Sequence, residues 1–107
     1  TLYVNLEEAG LLCHTVFDAA EPAARRLVAR GARRVVVTNG GLPCCDATAD
    51  GVHAACPPKV LVTRITGAGD TFMAAHIAAE RAGKSRPQAL EAALTAAAMY
   101  VSGDIAT

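Results

Sequence analysis

A continuous β-branched run, Val35 to Thr38, constrains the fold of this chain more than any other segment. An unbroken apolar run is typical of a strand that is covered on both faces, whereas a strand with one face in water alternates apolar and polar residues. The run follows a helical pattern in which Ala24, Leu27 and Val28 share one face and Gly31 ends the helix. A helix followed by a doubly covered strand predicts a parallel sheet, and therefore an α/β fold.

The composition agrees with such a layered structure. Hydrophobic residues make up 52% of the 107 residues and aromatic residues only 4%, so the core is expected to consist mainly of Ala, Val and Leu. Ten basic and ten acidic residues cancel, which argues against a partner that is a nucleic acid or an anionic membrane. No apolar stretch is long enough to span a bilayer and no leader precedes Leu2, so we expect a cytoplasmic location.

The remaining elements are predicted from caps and turns. Two pairs have the spacing of a capping box, in which a side chain at the helix start and one three residues later bond each other's backbone: Asp18 with Glu21, and Ser85 with Gln88. The other predicted elements are a strand at 2–4, a helix opening at Asn5, a hairpin of 42–48 with 52–56, a helix at 70–81 and a helix reaching residue 101. Since the chain starts with Thr1 and a strand begins at once, we expect residues 1–107 to be one unit of a longer protein.

Two groups of residues favour a structural role over a functional one. Cys44 and Cys45 are adjacent and lack the spacing of a zinc knuckle, so they and the remaining two cysteines, Cys13 and Cys56, are expected to be reduced thiols. A cluster of five arginines has no interleaved aromatic residues, so we interpret it as the solvent side of a helix and its exit and not as a nucleic-acid surface: Arg25, Arg26, Arg30, Arg33 and Arg34.

The stretch that carries chemistry is Thr66-Gly67-Ala68-Gly69-Asp70-Thr71-Phe72, in which small residues immediately precede a helix. Small residues let backbone N–H groups approach an anion. The first N–H groups of a helix have no intrahelical partner and lie at the positive end of the helix dipole. Asp70 would then lie near a phosphate in transfer, where a general base is needed for the acceptor hydroxyl. The local pattern alone leaves open an ordinary aspartate that caps the helix behind a glycine-rich turn.

This stretch resembles the C-terminal signature of the PfkB carbohydrate kinases. The resemblance implies a ribokinase-like three-layer α/β/α sheet, of which this chain would be the C-terminal, ATP-binding and catalytic part. It also implies that Gly67, Ala68 and Gly69 form the anion hole for the phosphoryl group and that Asp70 deprotonates the substrate hydroxyl.

Two further elements match the same family. Asn5 and Glu8 resemble its N-x-x-E element, which there helps to position Mg²⁺ and phosphate, often through water; by themselves they would more often be a helix cap and a first-turn acid. Thr38 and Gly40 resemble its Thr-x-Gly turn, which contacts ATP, although a plain tight turn is the other interpretation. The implied cofactors are therefore ATP and Mg²⁺.

Arg64 and Ile105 depart from the family pattern. Arg64 stands where an acidic residue commonly contributes to a monovalent-cation site, and we hypothesise that its guanidinium replaces that cation, making activity independent of potassium. Ile105 stands where glycine is frequent beside the adenine pocket. The acceptor is expected to be a small sugar or a nucleoside, including pseudouridine; a homodimer is one of the assembly states left open. The alternative function is a non-catalytic ligand-binding or regulatory domain with the kinase fold.

Overall fold

The computed structural model describes residues 1–59 and 67–102, which divide between two compact units, Thr1–Cys56 and Pro57–Thr107. The first unit contains strands β1 (Leu2–Asn5), β2 (Arg34–Asn39), β3 (Leu42–Thr48) and β4 (Gly51–Ala55), and helices α1 (Leu6–Cys13) and α2 (Ala20–Ala29). The second unit contains helices α3 (Ala68–Arg81) and α4 (Arg86–Ser102). No helix in these described ranges is long and apolar enough to cross a membrane.

The four strands form one sheet in the order β1-β2-β3-β4. β1 and β2 are parallel, with Tyr3 opposite Val36 and Asn5 opposite Thr38, which confirms the parallel pairing expected from a helix that leads into a buried strand. β3 pairs with β2 and β4 in antiparallel register, which confirms the predicted hairpin. The sheet of the first unit is therefore mixed, because short turns after β2 and β3 reverse the chain where no crossover helix intervenes.

Val35, Val36 and Val37 of β2 are all fully buried. Val35 and Val37 face the helices of the same unit. They form one hydrophobic core with apolar residues of β3, α1 and α2: Cys45, Ala47, Ala9, Ala20, Ala23, Ala24 and Leu27. Val36 lies on the opposite face of the strand and is equally inaccessible. The prediction of a strand covered on both faces is confirmed.

The predicted capping box at the start of α2 is wrong. The helix begins at Ala20 with Ala19 as its N-cap, and no side chain caps it. Pro22 explains the shift, since a helix capped by Asp18 would need the N–H of residue 22 for its first internal hydrogen bond, and proline has none. With Ala19 as the N-cap, Pro22 occupies a position whose N–H needs no intrahelical acceptor.

Arg34 departs from the expected solvent-exposed arginine cluster. Its guanidinium Nε lies 2.9 Å from Asp46 Oδ1 and its Nη2 lies 2.5 Å from Asp46 Oδ2, so the two side chains form a bidentate ion pair between β2 and β3. Asp46 is completely buried in spite of its charge. The other contacts within the cluster are at the surface, as expected: Arg25 Nε pairs with Glu21, and Arg30 Nη1 donates to the carbonyl of Leu12.

All four cysteines are free thiols, as the sequence predicts. Cys44 and Cys45 occupy successive positions of β3 and are both buried, whereas Cys56 is exposed. Burial raises the pKa of Cys44 to about 12, with a smaller contribution from neighbouring Cys45. Burial also raises the pKa of Cys45 to about 11, helped by the negative charge of Glu21. Both thiols are therefore neutral near pH 7.

In the second unit, α3 and α4 pack against each other. The buried side of α4 consists of Ala89, Leu90, Ala93, Leu94 and Ala98, while Phe72 and His76 are buried on α3. The small residues of α4 suit close helix packing. The predicted capping box at its start is confirmed: Ser85 N donates to Gln88 Oε1 at 3.0 Å, and Gln88 N donates to Ser85 Oγ at 3.2 Å.

Candidate active site

Asn5 and Thr38 lie side by side at the carboxyl ends of the two parallel strands. Asn5 is the last residue of β1 and is the register partner of Thr38, which is the last but one residue of β2. Gly40 follows in the turn to β3 and has a φ of 57°, in the left-handed region that favours glycine. The fold therefore places the start of the N-x-x-E element beside the Thr-x-Gly turn, at the edge of a sheet where α/β proteins generally bind ligands.

Asn5 and Glu8 form a reciprocal capping box at the start of α1. Glu8 N donates to Asn5 Oδ1 at 2.7 Å, and Asn5 N donates to Glu8 Oε1 at 2.8 Å. Both residues are exposed, and each bonded oxygen retains a second lone pair while Glu8 has another carboxylate oxygen. These oxygens are hard ligands of the kind that Mg²⁺ prefers, so the pair fits a hydrated Mg²⁺ held through water. It does not form an all-protein cage, since the described residues contain no cluster of three or more His, Cys, Asp or Glu suited to a metal.

The small residues of the glycine-rich stretch form the first turn of α3. Gly67 is the N-cap, with a φ of 93°, and as a glycine it has no side chain to cap the helix. Thr71 N donates to the carbonyl of Gly67 at 3.0 Å, so the N–H groups of residues 68–70 precede the first intrahelical bond. Gly69 and Asp70 are exposed, and among the described residues a Cβ at Gly69 would meet no atom within 4 Å outside its own turn. This open turn fits an anion, because its N–H groups and helix dipole favour negative charge.

Tyr100 of α4 contacts the same turn, which the sequence did not indicate. A Cβ built on Gly67 would lie 2.5 Å from the Tyr100 hydroxyl oxygen and 3.1 Å from its Cζ. Two independent features therefore favour glycine at position 67: its backbone is left-handed, and Tyr100 occupies the space that a side chain would need. The only hint in the sequence is that Tyr100 is one of two tyrosines in a chain with 4% aromatic residues.

The predicted site residues thus fall into two groups. Asn5, Glu8, Thr38 and Gly40 meet at one edge of the sheet in the first unit, and residues 67–70 form one helix start in the second unit. Three other residues of the predicted motifs and their departures lie outside the described residues: Arg64, Thr66 and Ile105.

A pocket of about 680 Å³ lies in the first unit. One face of α1, the loop that follows it and Asn39 line this pocket, with Leu11, Val16 and Phe17 among the apolar residues. None of the predicted site residues is part of its lining. Three of its lining residues, Leu6, Glu7 and Asn39, lie inside the N-x-x-E and Thr-x-Gly elements, so the pocket adjoins the first-unit part of the candidate site.

Residues 1–104 match the model of the pfkB family carbohydrate kinases. The chain belongs to this family. The match extends over both compact units of the PfkB chain and includes the N-x-x-E, Thr-x-Gly and Gly-Ala-Gly-Asp elements. The predicted family is confirmed. No curated protein sequence matches the chain.

Solved structures show the same fold. Adenosine kinase of Trypanosoma brucei brucei is 28% identical with a TM-score of 0.79, over 94% of this chain and 34% of that one. Ribokinase of Thermotoga maritima is 27% identical with a TM-score of 0.82, over 94% of this chain and 35% of that one. Phosphofructokinase-2 of Escherichia coli, at 22% identity and a TM-score of 0.80 over 92% of this chain and 34% of that one, shares the fold. The ribokinase-like α/β fold is thereby confirmed, and this chain spans about a third of the length of these structures.

Proposed function

We propose that the protein transfers the γ-phosphoryl group of ATP to a hydroxyl of a sugar or nucleoside, and that residues 1–107 supply the ATP-binding and catalytic part. The observation that carries the proposal is the first turn of α3. Gly67 and Gly69 place no side chain of their own over its N–H groups, and an exposed carboxylate, Asp70, lies in the same turn. In a PfkB-family chain this combination matches the parts that phosphoryl transfer requires.

Asp70 has the role of general base in this proposal. It orients the acceptor hydroxyl and takes its proton as the hydroxyl oxygen bonds to the γ-phosphorus and the bond from that phosphorus to ADP breaks. The N–H groups of residues 68 and 69 stabilise the negative charge that develops on the phosphoryl oxygens. Because these donors belong to a helix start, they are oriented before the reaction and need little rearrangement.

Asn5 and Glu8 are proposed to hold Mg²⁺ through water, and Thr38 and Gly40 to contact ATP. Mg²⁺, when bound, neutralises charge on the phosphates. The register pairing of Asn5 with Thr38 supports a shared role, since it brings the two elements to the same sheet edge. The capping box supports it as well, because it fixes both side chains in one conformation.

The names of the similar structures support the acceptor class. Among those at 25% identity or more are an adenosine kinase and a ribokinase, so both a nucleoside and a free sugar are proposed as acceptors. Consumption of ATP and four free thiols also suit the cytoplasm, where thiols stay reduced. We propose no nucleic-acid partner, since the arginine cluster has no interleaved aromatic residues.

ATP turnover by the full-length protein with a panel of sugars and nucleosides tests the function. We expect one class of acceptor to give ADP and a phosphorylated product, with turnover lost on chelation of Mg²⁺. Nucleotide binding without turnover over the whole panel would instead identify the protein as a non-catalytic member of the family. Adding potassium to the same assay tests the hypothesis about Arg64, because a several-fold increase in turnover would refute it.

A further inference from the structure

The contact between Tyr100 and Gly67 joins the two helices of the second unit at the proposed anion hole. The hydroxyl oxygen, Cζ and Cε1 of Tyr100 lie 2.5, 3.1 and 3.6 Å from the position of a Cβ on Gly67. The tyrosine ring therefore lies along the side of the backbone where any other residue would carry its side chain. Tyr100 is itself only partly exposed and belongs to the long helix α4, which packs on α3.

The composition of the anion hole explains why such a support is useful. Helical hydrogen bonds such as Thr71 N to the Gly67 carbonyl orient this turn, but Gly67, Ala68 and Gly69 have no side chain longer than a methyl group and add little packing of their own. Glycine also loses more conformational freedom on folding than any other residue. N–H donors stabilise a transition state best when they are held in place before the reaction. A rigid ring against Gly67 restricts the backbone where these donors begin.

We propose that Tyr100 is a positioning residue, which holds Gly67 in its left-handed conformation and so orients the N–H groups of the anion hole. The proposal rests on the proposed kinase function. It assigns Tyr100 no contact with substrate: its effect on the reaction passes through the backbone of residues 67–69. Removal of the ring should therefore lower kcat and leave the KM values for ATP and acceptor nearly unchanged, because ground-state contacts of the substrates are retained.

The kinetic test compares Tyr100→Ala with Tyr100→Phe in the full-length enzyme. We expect kcat to fall about tenfold for Tyr100→Ala with KM changed less than about twofold, since misplaced groups outside the chemistry can cost one to two orders of magnitude. Tyr100→Phe should retain most of kcat because its ring still contacts Gly67. Met99→Ala is the matched control, since it shortens the neighbouring, exposed side chain of the same helix. Equal kcat for Tyr100→Ala and Met99→Ala would overturn the proposal.

A double-mutant cycle tests the contact without any activity. Gly67→Ala should lower Tm in the wild-type background through both backbone strain and the clash with Tyr100, but less in the Tyr100→Ala background, where only the strain remains. Additive Tm losses would refute the contact. The positioning role and the proposed function can be refuted separately. If the wild type is active and its kcat does not change when Tyr100 is replaced, only the positioning role is refuted. A wild type that transfers no phosphate to any acceptor refutes the proposed function and the positioning role with it.

Discussion

Replacing Arg34 by methionine keeps an unbranched, flexible side chain and removes the guanidinium charge, so it tests the ion pair between β2 and β3. The Asp46 side chain is 0% exposed and that of Arg34 is 19% exposed. Breaking a buried pair leaves an uncompensated charge in a medium of low polarity, which costs about 3–5 kcal/mol. We therefore expect Arg34→Met to lower the free energy of unfolding of the full-length protein by about that amount, which is a large share of a typical protein's stability.

Urea unfolding at neutral pH measures this loss, with Arg25→Met as the matched control. Arg25 and Glu21 also form an ion pair, but their side chains are 62% and 52% exposed, so its loss should cost no more than about 1 kcal/mol. Adding Asp46→Asn to Arg34→Met should recover part of the stability, because it removes the buried negative charge and keeps the shape of the side chain. A cost for Arg34→Met as small as that for Arg25→Met would refute the argument from burial.

Three further outcomes follow from the first unit and from the helix caps. Cys56 should react rapidly with a thiol reagent near pH 8 while Cys44 and Cys45 react only on unfolding; rapid labelling of all three would contradict their burial. The folded pKa values of Cys44 and Cys45 lie at about 12 and 11, above the ordinary 9.0, so the contribution of the two neutral thiols to stability is complete below pH 9. Above pH 9 this contribution is lost at up to about 1.4 kcal/mol per pH unit per thiol, because the unfolded chain releases the protons first. A variant with both cysteines changed to alanine should therefore lose less stability between pH 8 and 10 than the wild type. Ser85→Ala should destabilise α4 by about 1 kcal/mol while Asp18→Ala has little effect, since only Ser85 caps a helix; equal losses in thermal unfolding would refute the assignment.

Patterns with a local physical cause could be predicted from the sequence. The unbroken valine run of β2 required cover on both faces, and the Ser85 and Gln88 pair required only a local turn to form its cap. The cap predicted at Asp18 was wrong although its spacing was right, because Pro22 imposed a shift of one residue. Because the position of Pro22 is known from the sequence, this shift of the helix start could have been predicted.

Contacts between distant residues could not be predicted. The pairing of Arg34 with Asp46 depends on the register of β2 with β3, and the contact of Tyr100 with Gly67 depends on how α4 packs on α3. Neither is encoded in spacing along the chain. Asn5 and Glu8 show a related limit, since the capping box that they form is the structural role that the sequence left open and does not by itself distinguish it from the proposed Mg²⁺ site.

The kcat of Asp70→Asn on the best acceptor tests the central claim most directly, with Asp50→Asn, the same change at another exposed aspartate, as its control. The proposed general base predicts a loss of about 10²–10⁴-fold in kcat for Asp70→Asn, with the affinity for ATP within about twofold of wild type. Asp50→Asn should behave as wild type. An Asp70→Asn enzyme that keeps wild-type kcat would contradict phosphoryl transfer through Asp70.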